Sequence, residues 1–310
     1  MISAEAADEH LPSVSVVVSS FNQRLILQRL LPQLLAEKYP EDGYEIIVVD
    51  GGSNDGTRDW LSALHHPCLV SLFESEGRSR SSLRNKGVQA AANDIVIMLD
   101  GDHTIEKDFV RWHVTQHHEC ECVVLGESQF SSHWRFRALD HYLNTRGVRK
   151  VPIGPPVPGR YFRTGNSSVP RSVLERIGLF DETFTAWGGE DLDFGVRLEE
   201  AGIAIVYEPH AKAWHHHHRP LNDLLKNLRI YGEKSIPHLV DKHPQLYREL
   251  NLHQMEKSWI RFLIQTPLYH TIRLMTNLLL PLHVPPVVFD YLHLRQYGVG
   301  FLHSQEERGK

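Results

Sequence analysis

The chain has 310 residues, of which 41% are hydrophobic and 23% charged, and a formal net charge of −5. This is the composition of a globular protein, too apolar for a disordered chain and long enough for one large domain or two small ones. The acidic balance disfavours general nucleic-acid binding, which needs a phosphate-neutralising surface, and no run of about 18 apolar residues offers a membrane span.

The N-terminal stretch MISAEAADEHLP is polar and lacks the apolar segment of a signal peptide, so residues 1–12 are expected to be disordered. Val14–Ser19 reads as a buried strand, and Arg24–Ala36 carries Leu27, Leu30, Leu31 and Leu34 at helical spacing, although Pro32 strains that helix. Glu45–Asp50 is a second apolar strand. The run GGSNDG after it is a turn, with Asp55 or Thr57 placed to cap the next helix. Cys68–Phe73 is a third strand, Arg78–Ala92 a helix, and Asp94–Leu99 a fourth strand that ends in Asp100-Gly101-Asp102. Strands alternating with helices imply a parallel sheet covered on both faces, and such sheets bind ligands beyond the carboxyl ends of their strands. Asp50 and Asp100 both stand at those ends.

The second half is less regular. Lys107–His118 and His133–Thr145 suit helices, and the Pro- and Gly-rich stretch around 147–163 suits a mobile loop. A short strand at 166–169 and a helix at Arg171–Ile177 follow. Ala186–Glu190 is a glycine hinge opening onto a helix that reaches about Glu200, and Ile203–Tyr207 and Ala211–Trp214 are two candidate strands before four histidines, His215–His218. From Leu221 onward the chain reads as helices interrupted by prolines. Cys120 and Cys122 are one residue apart, the wrong spacing for the usual zinc knuckles, and are expected to be reduced thiols of a cytoplasmic protein.

Four constellations carry chemistry. In Asp100-Gly101-Asp102, two carboxylates one residue apart can converge on a hard divalent cation, although an Asp-Gly pair also suits a solvated turn. Asp50 can accept from a nucleobase N–H or close an Asx turn. Arg78, Arg80, Arg84 and Lys86 crowd a helix start that suits a diphosphate, or form an ordinary basic face. Trp187-Gly188-Gly189-Glu190-Asp191 joins an aromatic plate to two carboxylates at a helix N-terminus, where ionised acids are favoured and one of them could act as a general base. A capped helix beside a buried Trp explains the same residues. Alternate strand residues face opposite ways, so His215–His218 cannot all ligate one ion.

Taken in order, VSVVVSSFN, EIIVVDGGSNDGT, the RNKG of Arg84–Gly87, IVIMLDGD and RTGNSSVPRSVLERIGLFDETFTAWGGEDLDFGVRL resemble glycosyltransferase family 2 over about Ser13–Arg219. The WGGED segment also resembles the C-terminal part of galactosyltransferases. The resemblance implies an α/β GT-A fold, a Rossmann-like and mostly parallel sheet flanked by helices, with residues 13–219 as catalytic domain. Within it, 13–103 would be the nucleotide-binding half and 104–219 the acceptor-binding half, while 220–310 would form a helical C-terminal extension. It implies that Asp50 binds the uracil of a UDP-sugar, that Arg84 contacts the donor near its diphosphate, and that Asp100 and Asp102, with His215, hold Mn²⁺ or Mg²⁺. Asp191 would be the catalytic base, Glu190 would hold sugar hydroxyls, and Trp187 would stack on a sugar face. Glu-Asp in place of Glu-Asn implies inversion. Gly51 departs from the pattern, since many members carry a second Asp there.

The implied activity is metal-dependent sugar transfer to an acceptor hydroxyl on a glycan, a lipid-linked saccharide, a peptide or a small molecule. The alternative is a catalytically silent nucleotide- or glycan-binding module. A sugar-nucleotidyl transferase would want a Gly-rich basic loop after the first strand, where this chain has Ser19-Ser20-Phe21-Asn22. The apolar segment Trp259–Leu294, with interspersed cations, suits a peripheral contact with the inner membrane surface, a homodimer face, or plain packing.

Overall fold

The computed structural model describes residues 11–118, 120–151, 153–154 and 156–308. The expected disorder of the N-terminus falls outside these residues over positions 1–10, and two prolines of the expected loop, Pro152 and Pro155, are also outside them.

Among the described residues, eight strands form one sheet: β1 (Val14–Ser20), β2 (Tyr44–Asp50), β3 (Leu69–Phe73), β4 (Ile95–Asp100), β5 (His103–Ile105), β6 (Val123–Phe130), β7 (Asn166–Pro170) and β8 (Ile205–His215). Their spatial order is β3-β2-β1-β4-β7-β6-β8-β5. Strands β1–β4 pair in parallel, which the helical crossovers between them require. Beyond β4 the direction reverses: β7 runs antiparallel to β4 and to β6, and β5 antiparallel to β8.

The chain divides into two compact units. The first comprises residues 1–129, 151–182 and 194–216; the second comprises 130–150, 183–193 and 217–310. In the first, Val16, Val18, Ile46, Val48, Ile97 and Leu99 form a core that the leucines of the helix Arg24–Leu35 cover. Pro32 is accommodated because it and Gln28, whose carbonyl loses its helical donor, both lie on the exposed side. Asp55 serves two helix starts: one carboxylate oxygen accepts from the Thr57 N–H and the other from the Arg24 N–H. Gly87 permits the helix Arg80–Ala90 to lie close on the sheet, since a Cβ there would come within 2.2 Å of Val17 Cγ1. In the second unit, Leu139, Tyr142, Leu221, Leu225, Phe289 and Leu292 form a separate core.

Three sequence expectations change. The two short strands expected at Ile203–Tyr207 and Ala211–Trp214 are one strand, β8, which continues through Pro209. Residues 221–242 run as helix into a π-helical turn at Tyr231–Ser235 and on into Ile236–Lys242, so Pro237 stands in the first turn of a segment rather than ending one. Cys120 and Cys122, expected as thiols, are joined as a disulfide.

Candidate active site

The carboxyl ends of β1, β2 and β4 present the first unit's candidate residues. Asp50 closes β2 and is fully buried. Its Oδ2 accepts from the N–H groups of Gly52 and Ser53 at 3.2 and 3.1 Å, the Asx turn foreseen for this position. Its Oδ1 is buried with no hydrogen-bond partner among the described residues. A buried carboxylate oxygen left this way costs free energy unless a donor arrives, so the atom is chemically suited to receive an N–H from a ligand.

Asp100 closes β4, and its Oδ1 meets Arg84 Nη2 at 3.2 Å. Gly165 makes room for this carboxylate, because a Cβ there would lie 2.6 Å from Asp100 Oδ2. Burial, the largest influence, and the Asp102 charge oppose ionisation of Asp100, but the positive charges of Arg84, His103 and Arg80 together outweigh them and hold the carboxyl below its ordinary value. Arg84 is itself buried, with its guanidinium 5.8 Å from the centre of the Phe180 ring.

The next residues form the densest cluster. After Gly101, β5 begins at His103 and pairs with the end of β8 so that His103 faces His215 directly across the ladder. Side chains at directly opposed positions share a sheet face, and the two imidazoles meet edge to face with centroids 4.8 Å apart. Asp102 lies against both: Oδ1 is 3.0 Å from His103 Nδ1, and Oδ2 is 3.3 Å from His215 Nε2. The three residues offer ligand atoms that all lie within 4.8 Å of one another. Burial disfavours the charged form of His103, yet the hydrogen bond and charge of Asp102 outweigh that and raise its pKa above the usual 6.5. One carboxylate and two imidazoles suit Mn²⁺ better than Mg²⁺, which prefers oxygen throughout.

The other expected ligand, Asp100, is turned to Arg84 and stands outside this group of three. His103 was missed in the sequence because three-residue strands leave no periodicity to read. Its one local signal was its place immediately after Asp102. The rest of the histidine run disperses: His216 Nε2 lies 2.7 Å from Thr104 Oγ1, while in the second unit His218 Nδ1 lies 3.5 Å from Asp140 Oδ1.

Trp187, Glu190 and Asp191 belong to the second unit. Gly188 and Gly189 have φ of +76° and +109°, a backbone that L side chains resist, and a Cβ on Gly189 would lie 2.8 Å from the Phe184 ring. The two glycines therefore bring the chain sharply into the helix Glu190–Glu200, whose first turn holds Glu190, Asp191 and Asp193. Glu190 is buried and Asp191 half-buried. Asp193, which carried no assigned role in the sequence, is fully buried and accepts from Lys242 Nζ at 2.7 Å and His243 Nε2 at 2.9 Å, anchoring this turn. The Trp187 carbonyl accepts from Ser235 Oγ at 3.2 Å, Arg219 lies 5.8 Å from its ring centre, and its indole Nε1 is buried with no hydrogen-bond partner among the described residues.

Comparison with known proteins fits this arrangement. The family model described as "Glycosyl transferase family 2" matches residues 15–176, and one described as "N-terminal domain of galactosyltransferase" matches 148–219, which contain the WGGED segment. Validoxylamine A glucosyltransferase of Streptomyces hygroscopicus subsp. limoneus is 27% identical over 79% of this chain, which spans 60% of that relative's length. Among solved structures, the mannosyltransferase PcManGT of Pyrobaculum calidifontis in complex with GDP-Man and Mn²⁺ matches 97% of this chain and 89% of its own, with TM-score 0.63 and 20% identity. S. aureus TarS 1-349 in complex with UDP-GlcNAc matches 96% and 92%, with TM-score 0.55 and 17% identity. The eight-stranded mixed sheet is thus a GT-A fold, and the chain belongs to glycosyltransferase family 2.

Proposed function

We propose that this protein transfers a sugar from a nucleotide-sugar, of the UDP class, to an acceptor hydroxyl with inversion at the anomeric carbon. The carrying observation is the Asp102, His103 and His215 cluster just beyond β4, in a chain of a family of sugar transferases. The solved relatives of the same fold bind GDP-Man with Mn²⁺ and UDP-GlcNAc, which supports a nucleotide-sugar donor and a metal here.

In this reading Asp50 Oδ1 receives the N–H of the base, and Asp102, His103 and His215 hold Mn²⁺. Asp100, the remaining acid of the pair, takes the ribose or a water of the metal and keeps Arg84 in place. When bound, the ion supplies positive charge to a departing diphosphate. Arg84 adds a fixed charge from within the fold, buried against Phe180. Glu190 holds sugar hydroxyls and Trp187 offers a ring face, with its indole N–H as a further donor. Asp191 takes the proton of the attacking acceptor hydroxyl. Its position in the first turn of a helix favours the ionised carboxylate that a base must be. One displacement then inverts the anomeric centre. The domain division proposed with this role is a transfer domain at 13–219 and a helical extension at 220–310.

The test is a panel of nucleotide-sugars, with and without Mn²⁺, scored by release of UDP or GDP in the presence of candidate acceptors. Metal-dependent UDP release with an inverted product supports the reading. GDP release would reassign the donor, and nucleotide binding without turnover on any acceptor would make the chain a silent binding module.

A further inference from the structure

We propose that the outward face of residues 257–289, in the second unit, docks on an anionic lipid surface. Between Glu256 and Asp290 the sequence contains no Asp or Glu, while Lys257, Arg261 and Arg273 supply fixed positive charge. The two bounding acids are engaged: Glu256 accepts from the Tyr247 hydroxyl, and Asp290 takes a salt bridge from Arg146. The segment folds as the helices Ser258–Gln265 and Leu268–Leu279, followed by a bend before the helix Pro286–Arg308.

Both short helices already have an inner side. Ile260 and Ile264 on the first, and Tyr269 and Thr276 on the second, are buried. The opposite side is nevertheless apolar. Trp259, Phe262, Leu274, Leu278 and Leu282 are 63%, 76%, 60%, 65% and 70% exposed. Trp259 and Phe262 stand three residues apart in one helix and Leu274 and Leu278 four apart in the other, so each pair shares a face, and large apolar side chains grouped in this way mark an interaction surface. Among the described residues no helix is long and apolar enough to cross a membrane, so the face is suited to lie on a bilayer rather than span it.

Charge decides between a bilayer and a second copy of the chain. Two such faces placed together would oppose cation to cation with no acid in the segment to relieve them. An anionic bilayer offers apolar depth for the Trp, Phe and Leu side chains and a negative rim for Lys257 and Arg261. Trp259 is the interfacial type of side chain, with an apolar body and a polar N–H. This inference does not depend on the sugar-transfer reading.

The experiment is co-sedimentation of the full chain with phosphatidylcholine vesicles and with vesicles that also contain phosphatidylglycerol, at low and high salt. Binding should be strong only to the anionic vesicles and should weaken with salt. Lys257→Gln and Arg261→Gln should each reduce the partition coefficient about fivefold. The pair Leu278→Glu and Leu282→Glu should reduce it at least tenfold, with an unchanged circular dichroism spectrum. If that pair fails to fold, quenching of tryptophan fluorescence by brominated acyl chains, lost in Trp259→Phe, tests the same contact. No partition into anionic vesicles at low salt would overturn the proposal. So would a lipid-free dimer, seen by light scattering, that the same substitutions split, since the face would then belong to a second copy.

Discussion

In the proposed transfer, a single carboxylate, Asp191, would separate donor binding from proton removal. Asp191→Asn keeps the size and much of the hydrogen bonding of the side chain but cannot accept the acceptor's proton, so turnover should fall by about 10²–10⁴-fold with nucleotide affinity nearly unchanged. Asp102→Asn should lower nucleotide affinity and turnover together. Steady-state rates beside calorimetry of UDP with Mn²⁺ read both, and near wild-type turnover in Asp191→Asn would place the base elsewhere. The histidines give a second comparison. His103→Ala and His215→Ala should each raise the Mn²⁺ concentration for half-maximal activity by at least the ~10–100-fold that even outer partners of metal sites carry. His216→Ala, whose imidazole meets the Thr104 hydroxyl, should move it less. Equal metal titrations for wild type and His103→Ala would remove that residue from the ligand set. At this scale the sequence was legible wherever a residue closes an apolar strand, as Asp50 and Asp100 do. It was opaque where a role depends on register: His103 acquires His215 only through β5–β8 pairing, and nothing local in either segment announces the other.

Among the elements, the buried parallel strands were readable because burial on both faces leaves continuous apolar runs such as VSVVV and IIVV. Strand β8 was not. Glu208, Pro209 and His210 interrupt its apolar pattern, and the sequence divides there although the backbone does not. Close approach between elements is likewise invisible until two glycines are seen facing each other. A Cβ on Gly195, in the helix Glu190–Glu200, would lie 2.1 Å from the carbonyl oxygen of Gly159, and one on Gly159 would lie 2.2 Å from that of Gly195. Gly195→Ala must therefore push two backbones apart, and should cost about 3 kcal/mol, the upper range for overpacking. Gly202→Ala is the matched comparison: its φ is +69° but no atom stands within 4 Å of the new methyl. It should cost only the ~1–2 kcal/mol of a left-handed backbone. Urea midpoints of the two variants check the ordering, and an equal loss would mean that the Gly159 contact yields freely.

For the whole molecule, pH reports on buried histidines that are not among the Asp102, His103 and His215 group. His113 is fully buried, with Nε2 2.8 Å from Asn166 Oδ1 and Nδ1 3.1 Å from Ser168 Oγ, and burial pushes its pKa down to about 4. Burial likewise pushes His117 down to about 3. The unfolded chain takes up these protons near pH 6.5 and the folded chain does not. The stability they contribute is therefore complete above pH 6.5 and is lost as pH falls from there, toward 4 for His113 and toward 3 for His117. His113 alone accounts for about 2 kcal/mol between pH 7 and pH 5. Urea unfolding at these two pH values should show that loss, and His113→Gln, though less stable, should show a shallower dependence. An unchanged slope would mean that the imidazole is solvated in the native protein.

The pairing of His103 with His215 joins positions more than a hundred residues apart along the chain. Closing so long a span is among the entropically costly contacts of a fold, and it cannot precede the arrival of β8. The first four strands and the helices between them contain every partner they need for their parallel pairing before β8 is added. Tight ion capture should therefore be a late event in refolding, trailing the recovery of far-ultraviolet dichroism. Bound Mn²⁺ would then act as a clasp on the last strand, slowing its release in unfolding while leaving the collapse of the first half untouched.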